Sequence, residues 1–181
     1  MRVAKTTTTD TPCGPFSVMM LGDRVIASGW TSDVGDLLET VHASLRPEDI
    51  REVHDLGEAS RAIDRYFDGD LLAIDAVEVE QHSGPFIEQA WAVLRAIPAG
   101  SPVTYAELAA KLGRPDAVRA AGNGCAYNSA ALFVPCHRVV RTGGALGGFR
   151  WGLPVKRWLL DHESGADSHA ALTRLSADSQ K

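Results

Sequence analysis

Cys136 and His137 are adjacent in the run Pro135-Cys136-His137-Arg138-Val139-Val140. A thiol held as a thiolate is a soft, strong nucleophile, and an imidazole beside it can take its proton. Apolar residues flank the run, Ala131-Leu132-Phe133-Val134 before it and Val139-Val140 after it. Both stretches read as short buried strands or strand-like segments. Cys136 therefore lies at the edge of a core. There it is either a nucleophile or a small buried hydrophobe beside a satisfied histidine.

The elements around this pair are legible from pattern. Phe86 to Ile97 is an amphipathic helix ended by Pro98-Ala99-Gly100. Thr104 and Glu107 have capping-box spacing at the start of a second helix, and Gly113 stops it. A third helix runs roughly from Asp116 to Ala126, so two helices joined at Gly113-Arg114 read as a helix-turn-helix. The third helix is small-sided, with Ala117, Ala120, Ala121, Gly122, Gly124 and Ala126, and it carries one long cation, Arg119. Such a face permits close approach, either to another helix of the chain or to a DNA groove. Val155 to His162 is helical and ends at Glu163.

Upstream, residues 11–80 look α/β. Phe16 to Leu21, Gly22-Asp23 and Arg24 to Ala27 form a hairpin pattern. Asp33–Leu45 and Ala59–Phe67 have helical spacing, and Leu71-Leu72-Ala73-Ile74 and Val77-Glu78-Val79 read as strand. His42, His54 and His82 are widely separated in sequence and read as surface or structural histidines. The expected organisation is a disordered N-terminus over 1–10, an α/β domain over 11–80, a second domain over 83–163 and a flexible tail over 164–181.

Composition sets the class. The chain has 181 residues, 45% hydrophobic and 23% charged, which suits an ordinary soluble globular protein. No run approaches eighteen apolar residues, so no membrane partner is expected. The N-terminus lacks the apolar stretch of a secretory signal. Three cysteines (Cys13, Cys125, Cys136) are too few and too dispersed for a disulfide framework or a zinc ribbon, and they suit a cytoplasmic protein. The net charge is −5, yet residues 101–163 hold eight Lys/Arg against four acids. A basic segment in an acidic chain can face a polyanion.

Taken in order, Tyr105, Arg119-Ala120-Ala121-Gly122, Asn128, Pro135 to Val140, Gly147-Gly148-Phe149-Arg150-Trp151-Gly152, Lys156 and Leu159 to Glu163 resemble the O6-alkylguanine-DNA alkyltransferases. The resemblance is strong over 83–163 and weaker over 11–80. It implies a ribonuclease-H-like α/β N-terminal domain and a mostly α, winged-helix-like C-terminal domain. It implies direct-reversal repair, in which the alkyl group of O6-alkylguanine, and of O4-alkylthymine, passes irreversibly to Cys136. By the same resemblance His137 is the base acting through a water, Glu163 orients it, and Asn128 is a hinge. Tyr105 and Arg119 rotate the nucleotide out of the duplex from the minor-groove side, with Ala120 and Gly122 allowing the approach. Val139, Phe149, Arg150 and Trp151 line the pocket. The partner is double-stranded DNA, with no cofactor, no metal and no obligate protein partner; self-association on DNA is left open.

Two positions depart from the family's pattern. Phe149 stands where many relatives have Tyr and lacks a hydroxyl toward the leaving base. Trp151 stands where some have Gly, and its bulk is expected to disfavour large alkyl groups. A non-catalytic alkylguanine-binding protein and a thiol hydrolase are the competing classes. Cys136 argues against the first, and the helix-turn-helix against the second.

Overall fold

The computed structural model describes residues 1–165, so the expected tail over 164–181 falls almost wholly outside the described residues. The chain divides into two compact units, one of residues 1–83 with 128–134, the other of residues 84–127 with 135 onward.

The first unit is built on a sheet of four strands, β1 (Val3–Thr11), β2 (Gly14–Leu21), β3 (Arg24–Gly29) and β4 (Asp49–Glu52), in the order β3-β2-β1-β4. β1 to β3 form an antiparallel meander, and β4 pairs with β1 in parallel. The turn between β2 and β3 is Gly22-Asp23, with Gly22 at φ +60°, as the hairpin pattern requires. Helices α1 (Val34–Thr40) and α2 (Glu58–Phe67) cover the unit, and Ala59, Ala62, Ile63 and Tyr66 form the buried stripe of α2.

Four sequence expectations fail. Residues 1–10 are not disordered, because Val3 to Thr11 is an interior strand of the sheet. Threonine is β-branched and favours strands, and the hydroxyls find partners: Thr6 donates to the Val18 carbonyl at 2.9 Å and Thr7 to that of His54 at 3.2 Å. Leu71 to Ile74 is not a strand. Leu72 is exposed, and a 3₁₀ turn runs over Ala73–Ala76. Val79 does meet the sheet, through one parallel bridge to Val25.

Ala131 to Val134 is fully buried, as its composition demands, but is not extended. Leu132 has φ +75°, a left-handed conformation that breaks any ladder. The Asn128 side chain closes this turn. Its Oδ1 accepts from the Ala130 N–H at 3.0 Å, and its Nδ2 donates to the Val134 carbonyl at 2.8 Å. Residues 128–134 belong with the first unit, so the second is not the continuous 83–163 of the sequence reading.

The second unit is mostly helical: α3 (Pro85–Arg95), α4 (Tyr105–Lys111), α5 (Val118–Ala126) and α6 (Leu153–Glu163), with two short strands, β5 (Val103–Thr104) and β6 (Val139–Val140), paired in parallel. Both halves of the capping box are present at α4: Thr104 Oγ1 accepts from the Glu107 N–H at 3.1 Å, and Glu107 Oε2 from the Thr104 N–H at 2.9 Å. α5 crosses α3 closely. A Cβ on Gly124 would stand 2.7 Å from that of Ala90, and the Trp91 indole donates to the Gly124 carbonyl at 2.9 Å.

Candidate active site

Cys136, His137 and Arg138 form one 3₁₀ turn that leads directly into β6, and all three are buried. The β5–β6 pairing sets Val103 against Val139 and Thr104 against Val140, which fixes the start of α4, and so Tyr105, relative to this turn. Glu163 is the last residue of α6, brought inward because Val155, Trp158 and Leu159 bury the same helix face.

The contacts converge on Glu163. His137 Nε2 lies 2.7 Å from its Oε1. Arg138 donates from Nη2 to Oε1 and from Nε to Oε2, both at 2.9 Å, and from Nη1 to the Ile97 carbonyl at 2.7 Å. Burial alone would raise the Glu163 pKa. The imidazole and guanidinium outweigh it and hold the carboxyl well below the usual carboxylate range. An ionised carboxylate only accepts, so His137 Nε2 carries the proton it donates. In the neutral imidazole, Nδ1 is then the basic nitrogen. It is buried and has no hydrogen-bond partner among the described residues. A thiol beside an imidazole whose other nitrogen is fixed by a carboxylate is the arrangement of an activated nucleophile.

Burial pushes Cys13 up to about 12, and burial together with Cys136 pushes Cys125 higher still. Both stay protonated near neutrality, and thiols in that state are poor nucleophiles.

A groove of about 600 Å³ opens nearby, lined by Tyr105, Ala106, Val118, Arg119, Gly122, Arg141, Thr142 and Gly148. Arg119 and Arg141 are exposed in it. The small residues of α5 serve two purposes. Ala121 and Gly124 are buried inside the unit, whereas Gly122 faces the groove and Ala120 is half-buried. The Tyr105 ring touches the chain at two glycines: a Cβ on Gly122 would lie 3.6 Å from it, and one on Gly147, at φ +75°, would collide at 2.9 Å. Burial pushes the Tyr105 phenol up to about 12, so it remains a neutral donor.

Lys156 is wholly buried, donates to the carbonyls of Val139 (2.7 Å) and Gly148 (3.2 Å), and stands 6.0 Å over the Tyr105 ring. It ties the strand after the thiol to the glycine loop. Val139 is buried, Phe149 and Trp151 are half-buried, and exposed Arg150 donates to the Ala126 carbonyl at 3.3 Å, at the end of α5. Sequence reading missed Arg141. Its place immediately after Val140 in the basic stretch was the available signal.

Fold and site together define a protein with a buried cysteine next in sequence to a carboxylate-held histidine, in a unit that also carries a groove lined by two arginines. A family described as "6-O-methylguanine DNA methyltransferase, DNA binding domain" matches residues 85–165. The chain is 37% identical over 156 residues to the methylated-DNA–protein-cysteine methyltransferase of Salmonella typhimurium, covering 84% of this chain and 91% of that one. It is 33% identical to the constitutive Bacillus subtilis protein of that name, over 87% and 93% of the two chains. The Mycobacterium tuberculosis protein OGT, solved in complex with DNA, superposes with a TM-score of 0.76 at 28% identity, over 93% of this chain and 99% of that one. The chain belongs to the methylated-DNA–protein-cysteine methyltransferase family.

Proposed function

We propose that this protein repairs alkylated DNA by direct reversal, moving the alkyl group of O6-alkylguanine, and of O4-alkylthymine, onto Cys136. The observation that carries the reading is the buried His137–Glu163 contact of 2.7 Å in the turn that carries Cys136. Through a water, His137 Nδ1 takes the thiol proton. The sulfur displaces the guanine at the alkyl carbon, and the charge on the imidazole is balanced by Glu163. The thioether product is stable, so each molecule acts once.

The target base lies inside a duplex and must be extruded. In our reading α4 and α5 are a helix-turn-helix of winged-helix type, and the first unit is ribonuclease-H-like. α5 enters the minor groove, where Ala120 and Gly122 permit close approach and Arg119 fills the space of the flipped nucleotide. Tyr105 crowds the adjacent phosphate. Val139, Phe149, Arg150 and Trp151 bound the pocket, and Asn128 shapes the turn leading to Cys136. Phe149 supplies a ring wall without a phenolic donor. The protein works on double-stranded DNA in the cytoplasm without a cofactor or an obligate protein partner.

The test is an intact mass after incubation with O6-methylguanine duplex. Gain of one methyl group on Cys136 without turnover supports the reading. Binding without an adduct, or turnover of an ester that is lost on Cys136→Ala, overturns it. Arg119→Ala should slow reaction with the duplex by about 10²-fold and leave reaction with free O6-methylguanine nearly unchanged. Equal loss on both would remove Arg119 from the flipping step.

A further inference from the structure

A second set of reactive side chains lies in the first unit, away from Cys136 in sequence and in no way part of its chemistry. Ser44 Oγ is 2.7 Å from His82 Nδ1 and 2.8 Å from His42 Nδ1. His82 Nε2 is 3.2 Å from Glu80 Oε1. The Ser44 N–H also donates to His42 Nδ1 at 3.2 Å, and the two rings meet edge to face with centroids 6.1 Å apart. Arg2 donates to the Ser44 carbonyl and sets a guanidinium beside this residue. His42, Ser44 and His82 are exposed.

The protons in this cluster can be counted. His42 Nδ1 accepts from the Ser44 N–H, so it carries no proton. The Ser44 hydroxyl has one hydrogen and two imidazole nitrogens in reach. If it donates to His82, then His82 is neutral, its Nε2–H points at Glu80, the order is hydroxyl, imidazole, carboxylate, and the 2.8 Å contact of Ser44 Oγ with His42 Nδ1 holds no proton. If it donates to His42, then His82 must supply Nδ1–H to Ser44 and Nε2–H to Glu80. In both states the hydroxyl donates into an imidazole nitrogen, which is the requirement for a general base to activate a serine. The ring is used in the reverse sense to a serine protease, with Nδ1 toward the hydroxyl, but either nitrogen can serve.

We propose that Ser44 is a second nucleophile, a solvent-facing acyl acceptor for small activated carboxylic esters. The Ser44 oxygen adds to the ester carbonyl while its proton passes to an imidazole. The carbon–oxygen bond to the leaving group breaks, and the imidazole returns the proton to the departing alkoxide. The Arg2 guanidinium offers positive charge to the oxyanion.

A fluorophosphonate tests this, because it takes an activated serine oxygen at phosphorus, releases fluoride and leaves a stable mass tag. Peptide mapping of the full chain should show Ser44 labelled on the order of 10²-fold faster than exposed Ser101, the scale of general-base assistance. His82→Ala with His42→Ala should reduce Ser44 labelling to the Ser101 rate. Ser44→Ala should abolish the tag and keep methyl transfer to Cys136, which reports an intact fold. Labelling of Ser44 at the Ser101 rate, or labelling unchanged by loss of both imidazoles, overturns the proposal.

Discussion

Glu163 holds two neighbours by opposite demands. It holds His137 Nε2 at 2.7 Å, the contact our proposed mechanism uses, and neutralises Arg138, which is 3% exposed and has the Ile97 carbonyl as its other partner. Removing one member of a buried pair costs far more than the pair contributes. Glu163→Gln should therefore lower stability by roughly 3 kcal/mol, read from urea midpoints, and slow alkyl transfer by more than tenfold, read from methyl uptake. The pH dependence has a definite sign. The folded Glu163 pKa lies below its unfolded value of about 4.3. Its stabilising contribution is full above that value and is lost as pH falls through it toward the folded pKa. The variant should lack this part of the acid limb, so its midpoint should fall less between about pH 6 and pH 3 than that of the parent. An unchanged acid limb would show that Glu163 is not ionised in the folded protein.

At the scale of elements, what the sequence made legible was periodic or had a specific stop signal. The β2–β3 hairpin, α2, α3 and the capping box of α4 all carry such signals, whereas Glu163 is tied to His137 in sequence only through the family resemblance, and the structure sets the two 2.7 Å apart. Two of the failures were decided by contacts that periodicity does not carry. β1 is strand because its threonines meet β2 and β4, and Ala131 to Val134 turns because Asn128 and Leu132 impose it. α5 shows the same logic, since its small residues were compatible with two kinds of close approach and the fold shows one of them, against α3. Gly124 stands at that approach. Gly124→Val would drive a side chain into Ala90, already 2.7 Å from the ideal Cβ position, and push α5 off α3. Overpacking of this kind costs about 1–3 kcal/mol, and the displaced α5 carries Arg119. The thermal midpoint should drop and duplex-dependent methyl transfer should fall with it. Ala126→Val, on the exposed end of the same helix, should leave both unchanged.

For the whole molecule, charge is partitioned by unit. The first unit holds sixteen acids against seven Lys/Arg, the second eleven Lys/Arg against seven acids, so a chain of net −5 contains one unit at −9 and one at +4. Only the second can gain from a polyanion, and within it the exposed cations of the groove are Arg119 and Arg141. The proposed role of Arg119 is inside the base stack, which leaves Arg141 as the cation suited to a phosphate. Neutralising one phosphate contributes about −0.9 to the slope of log binding constant against log salt. Arg141→Ala should therefore make that slope shallower by about 1 for undamaged duplex. It should weaken binding equally across sequences and leave the rate with free O6-methylguanine unchanged. Arg119→Ala should instead weaken reaction with the lesion more than binding to intact DNA. A salt slope unmoved by Arg141→Ala would place the phosphate contact on another cation of the basic unit.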